Sequence, residues 1–120
     1  MANPTDYDIM RSLEKTVEKT VTFGATGVTQ SYTLTANALT HTIVVDIDDF
    51  TNASTTVLSI LNEDGHEIYA SSSLNENTLN IIAAEKPLVG DNTILLTVSG
   101  VLGGTGGDIR VTFYLQARGY

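Results

Sequence analysis

Between Thr40 and Asp48 the chain reads THTIVVDID, with Ile43, Val45 and Ile47 on one side of a period-two alternation and Thr42, Val44, Asp46 and Asp48 on the other. That period belongs to an extended strand, whose successive side chains point to opposite faces, so one face meets a core and the other meets solvent. Nearer the C-terminus, Ile109, Val111, Phe113 and Leu115 alternate with Arg110, Thr112, Tyr114 and Gln116 in the same way. Leu79 and Ile81 repeat the apolar side of the pattern in a shorter run. Extended to the whole chain, the alternation predicts eight strands, at residues 17–23, 28–35, 40–48, 55–61, 67–71, 78–83, 93–99 and 109–118. Turn residues separate them about every ten positions, the spacing of an all-β sandwich or barrel. The sharpest turn signal is Asn62-Glu63-Asp64-Gly65, between the fourth and fifth strands, where the Asp-Gly step tolerates a left-handed backbone.

The N-terminal stretch has a different period. Asn3 or Thr5 can cap a helix, Pro4 suits its first turn, Asp6 and Asp8 favour its positive end, and Met10, Leu13 and Val17 are spaced three and four apart. A short helix or arm is therefore expected from Pro4 to about Lys15, with residues 1–20 as an arm and 21–120 as the sandwich domain. A helix of this length needs something to pack against. Either it lies on its own sandwich, or Ile9, Met10, Leu13 and Val17 reach a neighbouring subunit.

The loop GGTGG, Gly103 to Gly107, invites a phosphate-binding reading that the spacing rejects. A dinucleotide fingerprint starting at Gly104 needs a third glycine three positions after Gly106 and a helix to follow, but that position is Ile109, which leads into a strand. A P-loop needs a lysine to reach the terminal phosphates, and the nearest, Lys86, lies far upstream. The glycines read instead as a connection between two antiparallel strands, supplying backbone angles other residues avoid.

Composition narrows the classes further. With 120 residues the chain suits one domain, burying on the order of two-thirds of its unfolded surface. Each half carries seven acids and three bases, so the net charge of −8 divides evenly as −4 and −4. Such a chain repels nucleic acid and anionic membranes, both of which demand clustered cations. No cysteine is present, which excludes disulfides, thiolate nucleophiles and cysteine-ligated zinc. The start MANPTDYDIM is polar and acidic where a secretory signal is basic and then apolar.

No enzyme motif emerges. His41 and His66 fall on different predicted elements with no triad order around them. The run Asp46-Ile47-Asp48-Asp49, with Asp64, Asp91 or Asp108, could offer oxygens to calcium, but it lacks the loop spacing of a calcium cage and fits a solvated strand end. Tyr7, Tyr32, Tyr69, Tyr114 and Tyr120 are scattered and tryptophan is absent, so the aromatic platform of a sugar-binding module is not evident. Neither a catalytic residue, a metal site nor a cofactor is expected.

Apolar residues at loop tips carry more information. Phe50 follows the acidic run, Leu88 and Val89 sit between Pro87 and Gly90, and Val101 and Leu102 interrupt the glycine loop. Each tip is either covered by another chain or folded inward to plug its own sandwich. Charged residues make up 17% of the chain against roughly 25% in soluble domains, which favours an assembled state.

The order of motifs from Thr40 to Gln116, about two-thirds of the chain, resembles small structural proteins of tailed bacteriophages. It comprises a hairpin with an E-D-G turn, a K-P-L segment, S-G-x-x-G-G-T-G-G and a V-T-x-Y-L strand. Among these it is most similar to head decoration, or cement, proteins. The resemblance implies a β-sandwich or jelly roll on the outside of the capsid, often trimeric, made in the host cytoplasm and contacting the major capsid protein through arms. A tail or head-to-tail joining protein, or a carbohydrate-binding sandwich, are the alternatives.

Overall fold

The computed structural model describes residues 15–117. Ten strands run through them: β1 (Lys15–Phe23), β2 (Thr29–Thr35), β3 (Ala38–Ile47), β4 (Thr55–Leu61), β5 (Glu67–Ala70), β6 (Leu74–Asn75), β7 (Thr78–Ala83), β8 (Pro87–Leu88), β9 (Asp91–Val98) and β10 (Gly107–Ala117). They form two antiparallel sheets. In the first the order is β1-β10-β3-β7, with β8 also on β3; in the second it is β2-β9-β4-β5, with β6 also on β4.

Setting aside the two-residue strands β6 and β8, the pairs β1/β10, β2/β9, β3/β7 and β4/β5 are nested one inside the next. The β4–β5 hairpin is the innermost and its turn is the tip: Gly65 adopts φ +84°, and the Asn62 side chain accepts from the Asp64 and His66 amides. A long antiparallel ribbon of four nested pairs, wrapped so that successive pairs alternate between sheets, is a jelly roll. The eight strands expected from the alternation are the eight of this ribbon.

The core is the meeting of two alternations. Val21, Phe23, Ile43, Val45, Ile47, Ile109, Val111, Phe113 and Leu115 face inward from the first sheet, and Leu34, Leu58, Ile60, Ile94, Leu96 and Val98 from the second. At a β-bulge between β3 and β10, Tyr114 opposes Thr42 but Leu115 opposes Thr40. The extra residue is His41, and past it Thr40 rather than an odd-numbered neighbour turns inward. Thr40 is buried with its hydroxyl donating to the Ala84 carbonyl and accepting from the Lys86 amide, so its polar atom is satisfied inside the core.

Four sequence expectations change. Leu79 and Ile81 do not face the core: they oppose Asp46 and Val44, the outward residues of β3, so the register places them outward as well. The glycine loop does not join paired strands, because β9 and β10 lie in different sheets and the loop crosses from one to the other. Phe50, Leu88 and Leu102 are buried in this chain's own core and are not available to a partner; the tips fold inward because plugging the open ends removes apolar area from water. Val17 likewise packs against the chain's own core from β1, opposite Phe113. Residues 15–20 of the expected arm are strand, while the helix expected from Pro4, with Ile9, Met10 and Leu13, lies outside the described residues save for Lys15, which begins β1.

Candidate binding surfaces

The glycine loop closes one end of the sandwich. Gly103, Gly104 and Gly106 all adopt positive φ, and the Gly103 and Gly106 amides donate to the Ala25 and Gly103 carbonyls. A side chain on Gly107 would meet the Phe50 ring, and one on Gly103 or Gly104 would meet the side chains of Asn52 or Thr51. The loop's backbone is engaged in packing over Phe50 and Leu102, which accounts for the glycines structurally.

The acids do not converge. Asp46 pairs with Arg110 at 3.2 Å, Glu18 meets the same guanidinium at 3.4 Å, Asp48 accepts from the Asp108 amide, and Asp91 accepts from the Thr35 hydroxyl. Arg110 and its two partners, Asp46 and Glu18, are about half exposed, so the network orders the surface more than it stabilises it. Among the described residues no three His, Asp or Glu side chains cluster as metal ligands. His41 lies in β3, with Nδ1 2.8 Å from the Thr42 hydroxyl, and His66 lies in the β4–β5 turn.

Two surface features remain. On the outer face of the first sheet the register aligns Thr16, Tyr114, Thr42 and Ala83 in one row across β1, β10, β3 and β7, and Glu18, Thr112, Val44 and Ile81 in the next. Ile81 is 68% exposed, Leu79 57% and Tyr114 44%. With Val44 they form an apolar patch around a hollow of about 410 Å³ lined by His41, Thr42, Val44, Ile81, Tyr114 and Leu115. Val89 and Val101 are also exposed, at 52% and 47%, but stand singly on loops. The second feature is a polar hollow of about 330 Å³ at the glycine-loop end, lined by Ala53, Ser54, Thr55, Asn75, Glu76 and Ser99. Its groups are partly committed: the Ser54 and Ser99 hydroxyls lie 3.0 Å apart, and Glu76 accepts from the Phe50 amide at 2.9 Å.

No protein family matches the sequence, and no curated protein does. Three solved structures show distant likeness. The sugar-binding EclA C-terminal domain is 19% identical, over 92% of this chain and 84% of that one, with a TM-score of 0.40. A family 35 carbohydrate-binding module from Clostridium thermocellum is 18% identical, over 81% and 86%, at 0.43. Infectious bursal disease virus (Gt strain) is 14% identical, over 85% of this chain and 33% of that one, at 0.38.

The tyrosines separate by environment. Tyr114 is presented to solvent, and Tyr69 is partly buried with Lys86 Nζ 5.8 Å from its ring centre. Tyr32, on β2, has its hydroxyl buried with no hydrogen-bond partner among the described residues, and burial pushes its pKa well up. An unpaired buried hydroxyl costs about 1–3 kcal/mol in lost hydration. Tyr32→Phe is therefore expected to match or exceed wild type in thermal stability. Because the folded state holds this proton more tightly than the unfolded chain, the contribution is whole below pH 10 and is lost as pH rises beyond it. Wild type should lose stability above pH 10 more steeply than Tyr32→Phe, as read by denaturation midpoints across an alkaline pH series; parallel curves would contradict this.

Proposed function

We propose that this protein is a structural component of a virion that decorates the outside of a tailed-bacteriophage head, binding the major capsid protein and associating as a homotrimer. The observation that carries the reading is the outer face of the first sheet, where Val44, Leu79, Ile81 and Tyr114 hold apolar area at the surface of an otherwise acidic molecule. Contiguous exposed apolar area marks a surface that another molecule covers. A decoration protein needs only such a contact repeated many times, because linked weak contacts gain strength by avidity. On this reading the protein performs no catalysis, and it reaches the virion surface after synthesis in the host cytoplasm. A tail or joining protein would use the same face, and position on the particle separates the two.

A second reading is favoured by the polar hollow at the glycine-loop end, whose hydroxyls, amide and carboxylate are the chemistry that meets sugar hydroxyls. The two readings give opposite results in a paired assay. Purified protein should saturate heads stripped of it and ignore a glycan array; glycan binding lost on Asn75→Ala, with no uptake by heads, would favour the sugar-binding reading instead.

A further inference from the structure

Strand β7 (Thr78–Ala83) ends the first sheet on the side away from β1, and no described strand pairs with its outer edge. Sheet edges are ordinarily defended by charge, shortness or polar side chains. Here β1 carries Glu18 and Lys19, β5 is four residues long and begins with Glu67, and β2 turns Thr29, Ser31 and Thr33 to solvent. The β7 edge carries no charge, and its polar side chains are limited to Thr78 and Asn80. Leu79 and Ile81 are the two most exposed large aliphatic residues among those described.

We infer that the β7 edge pairs with the β7 edge of a second copy, antiparallel about a two-fold axis, so that the first sheet continues through both molecules. Residues directly opposite in a strand pair share a face, so outward positions must meet outward positions. A register centred on Ile81 satisfies this: Ile81 opposes Ile81 of the second copy, and Leu79 opposes Ala83. Val44 lies opposite Ile81 within each molecule, so one continuous apolar row, Val44-Ile81-Ile81-Val44, spans the junction.

Charge favours the same arrangement. At −8 per molecule two copies repel, and β7 is where they can approach with least opposition. Asp46, opposite Leu79, is already paired with Arg110. Glu76 precedes β7, and Glu85 and Lys86 follow it; the antiparallel register sets Glu76 of each copy opposite Lys86 of the other and Glu85 opposite the uncharged Asn77, whereas parallel pairing would set each of these charges against its own like. The contact is two-fold, and therefore distinct from a three-fold one; trimers joined by it would form hexamers.

Sedimentation velocity and native mass spectrometry over a concentration series, micromolar to millimolar, test this. Wild type should reach an even-numbered species, a dimer or a hexamer. Ile81→Lys should halve that mass while keeping the wild-type circular dichroism and thermal transition, and Thr33→Lys on the β2 edge should leave the mass intact. If Ile81→Lys misfolds, Leu79→Lys serves in its place, and β7 amides of wild type should exchange more slowly as concentration rises. A wild type that stays monomeric or forms only trimers overturns the inference, as does a mass unchanged by both lysine variants. Concentration-independent protection of β7 by residues 1–14 would also overturn it, by giving the edge to the chain's own N-terminal segment.

Discussion

Gly106→Val is expected to lower the stability of the protein by about 3 kcal/mol or more, enough to move its denaturant midpoint far below wild type. Two costs add at this position. Gly106 adopts φ +81°, a conformation that a β-branched residue takes only under strain, and a Cβ there would run into the backbone carbonyl oxygen of Phe23. Backbone cannot move aside as a flexible side chain can, so β1 and the loop would have to part where the sandwich end is closed. Gly65→Ala is the control: it has nearly the same φ, at +84°, but open space around it, and should cost only about 1 kcal/mol. Equal losses for the two variants would contradict the packing role given to the glycine loop.

Phe113→Ala should cost about 3–5 kcal/mol, because the ring is fully buried between the sheets and a cavity would remain. Set against a typical total of roughly 5–15 kcal/mol, that loss takes the protein close to unfolding. Its neighbour Tyr114 points the other way, and Tyr114→Ala should stay within about 0.5 kcal/mol of wild type. Urea titrations of the two variants compare one face of β10 with the other. Similar losses at both positions would mean that the outer face of this sheet is buried in the isolated protein.

The contrast between Phe113 and Tyr114 was legible in the sequence because strong alternation on a central strand fixes both the element and its inward face. Leu79 and Ile81 were not, for a physical reason: on this six-residue strand Ile82 shares a face with Asn80, so both faces carry apolar residues and the alternation does not say which one meets the core. On β7 that choice is made by pairing with β3, where Ile81 falls opposite outward-facing Val44. The exposed patch that now carries the functional reading was hidden for the same reason. β6 and β8 have two residues each, too few to show any period. Phe50, Leu88 and Leu102 announced themselves as apolar residues in loops, yet local sequence does not say whose core will receive them. The winding of β9 and β10 into different sheets is likewise a long-range property, carried by the nesting of strand pairs rather than by the glycines between them.

Location on the particle bears most directly on the proposed role. A cryo-electron microscopy reconstruction of the virion carrying this protein, alongside one lacking it, should show jelly-roll-sized density repeated over the outer surface of the head and absent from the second particle. Difference density confined to the tail or neck, or no difference anywhere on the particle, would contradict the account.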